Sequence, residues 1–142
     1  MIRAATKADL QPIVDMCRDF IAEGTYDGMI TFDHDRMSRI CSALIDSEHA
    51  DILVPDGMNG MIAVVVDHMD LTGQKAAAEL FWYVRPGCRG ALGWRLAKAA
   101  QQWARDREAT VMRMAAPDER VGKMLERGGF KRAEIMYQKG ID

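Results

Sequence analysis

The chain has 142 residues, of which 49% are apolar and 28% charged, and its formal net charge at pH 7 is -2. This composition excludes a disordered chain, and the length predicts a single domain over residues 1–142 with a core of its own. The balanced charge argues against nucleic acid as a partner. The longest apolar run, residues 61–66, is too short to cross a membrane, so we expect a cytoplasmic protein.

The first half of the chain predicts a short strand, two amphipathic helices and an antiparallel hairpin. Apolar residues recur at i, i+3, i+4 and i+7 in both helices, and Thr6 with Asp9 is typical of a helix N terminus. A Pro-Asp-Gly turn separates the two hairpin strands. The predicted elements are a strand over residues 1–5, helices from Leu10 to Ile21 and from Met37 to Ile45, and strands over residues 49–54 and 61–68.

The second half predicts strands that alternate with helices. A strand, helix and strand in succession normally join parallel strands by a right-handed crossover, which puts the loop over residues 85–93 at the carboxyl end of its strand. We therefore predict a three-layer α/β/α fold with a mixed sheet, four helices and about six strands. The predicted elements are strands over residues 76–84, 109–115 and 131–139, a helix through Leu96 and Ala104, and a short helix that starts at Asp118.

The loop inside "WYVRPGCRGALGWRL", residues 82–96, combines glycines and arginines at the start of a helix. Glycines let backbone amides approach a ligand, a helix N terminus favours anions, and Arg89 can bind phosphate oxygens. A turn whose arginines face water explains the same pattern equally well. The spacing matches neither the dinucleotide-binding nor the P-loop motif, so it indicates no nucleotide site of those kinds.

This motif and the order of the elements resemble the GCN5-related N-acetyltransferase (GNAT) superfamily. The likeness covers nearly the whole chain and is most specific from residue 76 to residue 130. The resemblance implies that acetyl-CoA is the co-substrate, with no metal, and that an acetyl group moves to a primary amine by direct attack in a ternary complex. Dimers are common in the family, which leaves a homodimer open, and the chain bears a weaker likeness to small stand-alone members encoded by bacteriophages.

The resemblance further assigns the residues that contact the cofactor. The backbone of Val84 would contact the pantetheine arm, and a backbone amide near Tyr83 or Val84 would stabilise the oxyanion of the reaction. Asp118 occupies the place of an Asn in the second family motif, which ends at Gly129 and Phe130. The residues that would surround the pyrophosphate are Arg89, Gly90, Ala91, Leu92, Gly93 and Trp94.

Two positions depart from the family pattern. The family spacing, counted from Arg89, puts Leu92 and Trp94 where small residues are usual, and a one-residue deletion would bring Gly93 back into place. Leu125 occupies the position of the Tyr that usually protonates the leaving thiolate. Tyr137, on the predicted last strand, is the candidate replacement, although an aromatic side chain packed at the edge of the core is the simpler interpretation.

Glu79 is the candidate base that deprotonates the amine. Strand alternation groups it with Ala77, Phe81 and Tyr83 on one face, where apolar neighbours would raise the pKa of its carboxyl group. A charge on a partly solvated strand face is the alternative. Tyr26, in the loop between the first two helices, is the candidate residue for binding the acceptor, and an ordinary loop aromatic is its alternative.

The remaining candidate groups favour structural roles. The cysteines at positions 17, 41 and 88 are odd in number and form no CxxC pair, which indicates reduced thiols. The runs DHD at 33–35 and DHMD at 67–70 are better explained by a helix cap and a strand end than by metal binding. Two functions stay open from the sequence, an acetyl-CoA-dependent N-acetyltransferase and a GNAT-like module that binds without catalysis.

Overall fold

The computed structural model describes residues 1–24, 26, 28–69 and 71–141. Within this part of the chain, nine elements form a mixed sheet with helices on both faces, and a 3₁₀ turn over Lys7–Asp9 precedes the first helix. The elements are β1 (Ile2–Ala4), α1 (Leu10–Glu23), α2 (His34–Asp46), β2 (Ala50–Pro55), β3 (Gly60–His68), β4 (Lys75–Val84), α3 (Ala91–Asp106), β5 (Val111–Arg113) and α4 (Glu119–Arg127).

The five strands lie in the order β1-β2-β3-β4-β5. The first four strands pair antiparallel, which confirms the predicted hairpin between β2 and β3. β5 is parallel to β4, which confirms the crossover through α3. The loop after β4 therefore lies at the carboxyl end of its strand, as the sequence predicts.

Two apolar clusters cover the two faces of the sheet and confirm the three-layer α/β/α fold. One cluster packs α3 against the sheet, with Ile62, Val64 and Leu96 buried at its centre. The other packs α1 and α2 against the opposite face, and Cys17 and Cys41 lie inside it with their Sγ atoms 3.9 Å apart. Both cysteines are therefore buried core residues.

Side-chain caps explain where three elements begin. The Asp33 carboxylate accepts a hydrogen bond from the Arg36 amide at the start of α2, and the Asp118 carboxylate accepts one from the Val121 amide at the start of α4. Thr6 and Asp9 form a capping box at the 3₁₀ turn. The sequence DHD at 33–35 is thus a helix cap, as predicted.

The predicted sixth strand over residues 131–139 is wrong. Gly129 turns the chain at a positive φ of 95°, the Phe130 amide bonds back to the Leu125 carbonyl, and residues 131–141 are exposed outside the sheet. The alternation of Ala133, Ile135 and Tyr137 is typical of a strand, but a strand also needs an edge to pair with. β5 is only three residues long, so it offers little edge.

Candidate functional site

A gap between β4 and β5 opens toward the glycine-arginine loop. β5 pairs only with Ala76, Ala77 and Ala78 of β4, although β4 continues to Val84. The last six residues of β4, 79–84, therefore have no strand partner on that side in the described part of the chain. This open strand edge leads directly to the loop over residues 85–90 and to the first turn of α3.

The N terminus of α3 has free backbone donors and no side-chain cap in the described structure. Its N-cap residue is Gly90, with φ at 108°, whereas α2 and α4 start at Asp33 and Asp118. Gly87 also has a positive φ, 86°, and a Cβ atom at either glycine would meet nothing within 4 Å. The amides of the first helical turn are consequently available to an anion.

Most of the residues predicted to surround a pyrophosphate have side chains that are absent or packed inside the protein. Ala91 is exposed, but the side chain of Leu92 is buried in the α3 cluster. Gly93 lies under Trp82, with 3.8 Å from the position of its missing Cβ to the Trp82 ring. The Trp94 ring packs on Gly128 at the end of α4. For Leu92 and Trp94 the side chains are thus used for packing, and only their backbone faces the loop.

Arg89 already has three partners within the protein. Its Nη2 atom lies 2.7 Å from the Glu23 carboxylate, and its Nε atom donates a 2.8 Å hydrogen bond to the Val84 carbonyl. The guanidinium carbon lies 5.7 Å from the centre of the Tyr83 ring. Arg89 is therefore at the predicted place, but it occupies the Val84 carbonyl that the family resemblance assigns to the pantetheine.

A second arginine of the same loop is paired in the same way, which the sequence reasoning missed. Arg85 Nη1 lies 3.0 Å from the Asp19 carboxylate, one helical turn before Glu23 on α1. Asp19 and Glu23 are four positions apart in the sequence, so their side chains lie on the same face of α1. The spacing of the two acidic residues on α1 is the one sequence signal that points to them. The sequence does not indicate which loop this face of α1 contacts.

A bulge in β4 corrects the predicted grouping of Glu79 with Phe81 and Tyr83. Val64 pairs with Glu79 and the adjacent Ala63 pairs with Phe81, so β4 holds one extra residue at Leu80. The extra residue reverses the alternation. Glu79 is in register with Val64 of the α3 cluster, whereas Phe81 and Tyr83 belong to the α1 and α2 side.

Glu79 lies at the start of the gap, where β4 and β5 separate. Its Oε1 atom accepts a 2.9 Å hydrogen bond from the Ala115 amide. Burial raises the pKa of the Glu79 carboxyl group, and the hydrogen bond from Ala115 opposes this rise. A partly desolvated carboxylate with a raised pKa has the properties of a general base.

Tyr26 lies close enough to Glu79 to respond to its charge. Burial raises the pKa of Tyr26, and the negative charge of Glu79 raises it further. The ring contacts Phe20 edge-on at 6.3 Å and covers Gly24, where a Cβ atom would overlap it. The charge of Glu79 thus acts on the predicted acceptor residue, while the neighbouring positions Thr25 and Asp27 lie outside the described residues.

Three other predicted positions lie away from this gap or serve the fold. Tyr137 is 88% exposed on the segment outside the sheet. It therefore neither packs at the edge of the core nor lies beside Glu79. Asp118 caps α4 with its side chain, at 3.0 Å from the Val121 amide. Leu125, at the position of the usual acid, is 5% exposed and is therefore a core residue.

Trp82 is a further residue that the sequence reasoning did not single out. Its side chain packs against the α3 cluster, and its indole nitrogen is buried without a hydrogen-bond partner among the described residues. Such an unsatisfied donor costs stability. Trp82 belongs to the part of β4 that has no strand partner toward β5, but its side chain packs on the α3 face of the sheet.

Two open cavities flank the sheet. One of about 360 Å³ adjoins the loop and is lined by Cys88, Leu92 and Arg95 together with the β2 to β3 turn. The other, about 280 Å³, lies over Ala76, Ala78 and Arg113 at the beginning of β4. Glu79 lines neither cavity. In the described part of the chain, no cluster of three or more His, Cys, Asp or Glu side chains is arranged to hold a metal ion.

Comparison with solved structures identifies similar folds. The structure aligns with a "putative acetyltransferase" from Arthrobacter sp. FB24 at a TM-score of 0.78 and 25% identity, over 99% of this chain and 91% of the other. A transcriptional regulator from Bacillus halodurans C-125 aligns at 0.79 and 19% identity, over 99% of each chain. Ribosomal-protein-alanine N-acetyltransferase from Brucella melitensis biovar Abortus 2308 aligns at 0.71 and 17% identity, over 98% and 96%.

No family model matches the sequence, and neither does any curated protein. None of the helices among the described residues is long and apolar enough to cross a membrane. The assignment rests on the shared architecture over nearly the full length of both chains. The chain has the fold of the GCN5-related N-acetyltransferases, which confirms the resemblance that its glycine-arginine motif carries.

Proposed function

We propose that this protein is an N-acetyltransferase that moves the acetyl group of acetyl-CoA to a primary amine within a ternary complex. The observation that carries the proposal is the gap between β4 and β5. Along this gap lie the carboxyl group of Glu79, whose pKa is raised by burial, the open strand edge of β4 and, beyond the loop, the uncapped N terminus of α3. The acetyltransferases among the structures of the same fold support the same reaction class.

The groups along this site fit the chemistry of acetyl-CoA. The amides at the start of α3 and the guanidinium of Arg89 are suited to the pyrophosphate. The backbone N–H and C=O groups on the unpaired edge of β4 can donate hydrogen bonds to, and accept them from, the amides of the pantetheine arm. The co-substrate would supply an activated thioester at the end of this arm.

The role of Glu79 follows from the protonation of amines. A lysine-like amine with a pKa of about 10.4 is neutral in only about one of 2,500 molecules at pH 7, so a base is needed. Glu79 takes the proton, directly or through water, and the amine lone pair attacks the thioester carbonyl. A backbone amide near Tyr83 or Val84 would stabilise the oxyanion. The C–N bond forms and the C–S bond breaks as the thiolate leaves.

A dedicated acid for the thiolate is not required by this scheme. A thiol with a pKa near 8.5 is a fair leaving group at neutral pH, and water can protonate it afterwards. Leu125 cannot act as an acid, and Tyr137 would have to move from its exposed position to do so. Tyr26, near Glu79, is the proposed contact of the acceptor. Small amines, peptide N termini and lysine side chains all fit the proposal.

The experiment is a calorimetric titration with acetyl-CoA, followed by an assay of CoA release with a panel of primary amines. We expect micromolar binding and release that depends on the amine. Glu79→Gln should lower kcat about 100- to 10,000-fold, the range of general base catalysis, while the affinity for acetyl-CoA stays unchanged. Glu126→Gln, on the exposed side of α4, is the matched control.

The pH dependence sharpens this test, because the loss in Glu79→Gln should be greatest at low pH, where neutral amine is scarce. Binding of acetyl-CoA without release of CoA by any amine would favour a binding module with this fold. No binding at millimolar concentration would reject acetyl-CoA as the ligand. The cytoplasmic location and the homodimer stay predictions.

A further inference from the structure

The two arginines of the glycine-arginine loop are both tied to the last two turns of α1. Arg85 pairs with Asp19 at 3.0 Å and Arg89 pairs with Glu23 at 2.7 Å, with all four side chains between 34% and 44% exposed. The pairs lie side by side, because Asp19 and Glu23 are one turn apart. Helix α1 therefore supplies the negative charge that neutralises the cations of this loop in the protein alone.

The pair of Arg89 with Glu23 also determines where the rest of the Arg89 side chain lies. With Nη2 on the carboxylate, Nε reaches the Val84 carbonyl at 2.8 Å, and the guanidinium stacks on Tyr83. The side chain therefore lies across the end of β4. A ligand that uses the Val84 carbonyl shares it with Arg89 or displaces Arg89, and a phosphate that binds the guanidinium competes with Glu23 for its charge.

We propose that Glu23 is a positioning residue that competes with the cofactor pyrophosphate for Arg89, and so lowers the affinity of the protein for CoA. This inference rests on the proposed function, because it needs CoA to bind at the start of α3. Binding then exchanges one carboxylate partner of Arg89 for a phosphate partner and frees the Val84 carbonyl. Glu23, as the last residue of α1, is released toward solvent.

The energetics allow such an exchange. An ion pair of this exposure contributes about 0.2 to 1 kcal/mol, which corresponds to a factor of about 1.5 to 5 in a binding constant. A phosphate attracts arginine more strongly, since it offers several charged oxygens to the planar fork. The cost of breaking the pair with Glu23 is thus small enough for CoA to bind, and large enough to measure.

The test is a titration of free CoA, which cannot react, into the protein and four variants. Glu23→Gln should tighten CoA binding about 1.5- to 5-fold at low salt. Asp15→Asn is the matched control, because it removes a charge from the same helix and Asp15 pairs only with Gln11 and Arg18 in the described structure. The affinity of Asp15→Asn should stay unchanged. Arg89→Ala should weaken binding about tenfold.

The double variant Glu23→Gln with Arg89→Ala decides between competition and simple repulsion. If Glu23 acts through Arg89, its substitution has no effect once Arg89 is gone. Tightening that persists in the Arg89→Ala background overturns the inference, because Glu23 would then only repel the cofactor. Unchanged or weaker binding in Glu23→Gln overturns it as well, with the proposed function intact. Absence of CoA binding in every variant overturns both.

Discussion

The regions before and after residue 105 differ sharply in how much core they hold. Of the 25 apolar side chains that are buried in the described chain, Leu125 is the one that lies after Ala104. The later region consists of a three-residue strand, a nine-residue helix and the exposed segment 131–141. It therefore depends on the earlier region for its position, through contacts such as that between Trp94 and Gly128.

This difference bears on function, because the gap between β4 and β5 follows the boundary of the two regions. β4 and α3 belong to the well-packed region, whereas β5 and α4 belong to the other. Ligand sites are often drawn from the less stable parts of a protein, which can adjust to what they bind. A ligand in the gap would contact both regions and would stabilise the later one by mass action.

The largest expected effect on the free energy of unfolding comes from truncating an isoleucine to alanine in each of the two regions. Ile62→Ala should lower the free energy of unfolding by about 2 to 5 kcal/mol, because Ile62 is fully buried in the α3 cluster. Ile135→Ala should change it by less than about 0.5 kcal/mol, because Ile135 is 67% exposed. Urea unfolding measures both. A loss above about 1 kcal/mol for Ile135→Ala would show that the segment 131–141 is packed on the rest of the protein. That result would contradict the difference between the two regions.

An intermediate effect is expected where the two regions touch. A Cβ atom at Gly128 would overlap the Trp94 ring, so Gly128→Ala should cost about 1 to 3 kcal/mol and change tryptophan fluorescence. Its φ of -82° adds no backbone strain. Gly122→Ala is the matched control in α4, where the nearest neighbour would be 3.8 Å away. It should stabilise the protein by up to about 1 kcal/mol. Equal effects of the two substitutions would refute the contact.

The smallest effect concerns Glu79 at the boundary and depends on pH. Its pKa is raised above the model-compound value of 4.5, so its contribution to stability is fully present below that pH and is lost as the pH rises through the raised pKa. Glu79→Gln lacks this loss and keeps an oxygen for the Ala115 amide. The variant should therefore gain stability relative to the parent as the pH rises, in urea unfolding between pH 4 and pH 8.

The control for this pH series is again Glu126→Gln, whose difference from the parent should be flat. A flat difference for Glu79→Gln would mean that burial of the Glu79 carboxylate has no energetic consequence. Glu79 would then lose the physical argument for its role as the base.

Local sequence patterns predicted most of the fold. Helical periodicity predicted α1, α2 and α3, the start signal at Asp118 predicted α4, and Pro-Asp-Gly predicted the hairpin turn. These signals succeed because caps, turns and periodicity act within a few residues. The loop after β4 was found for the same reason, since the glycines and Arg89 that predict an anion site there are neighbours in the chain.

The tertiary structure alone decided what depends on pairing over long separations. The bulge at Leu80 arises from the register between β3 and β4, so alternation by itself put Phe81 on the wrong face. The partners of Arg85 and Arg89 lie 66 residues away on α1, and no local signal names them. The segment 131–139 has the pattern of a strand but no edge long enough to join. Thus the sequence by itself determined four helices, five strands and the position of the glycine-arginine loop, because these depend on nearby residues. The three-dimensional packing determined which charges and faces that loop and the gap beside it contain.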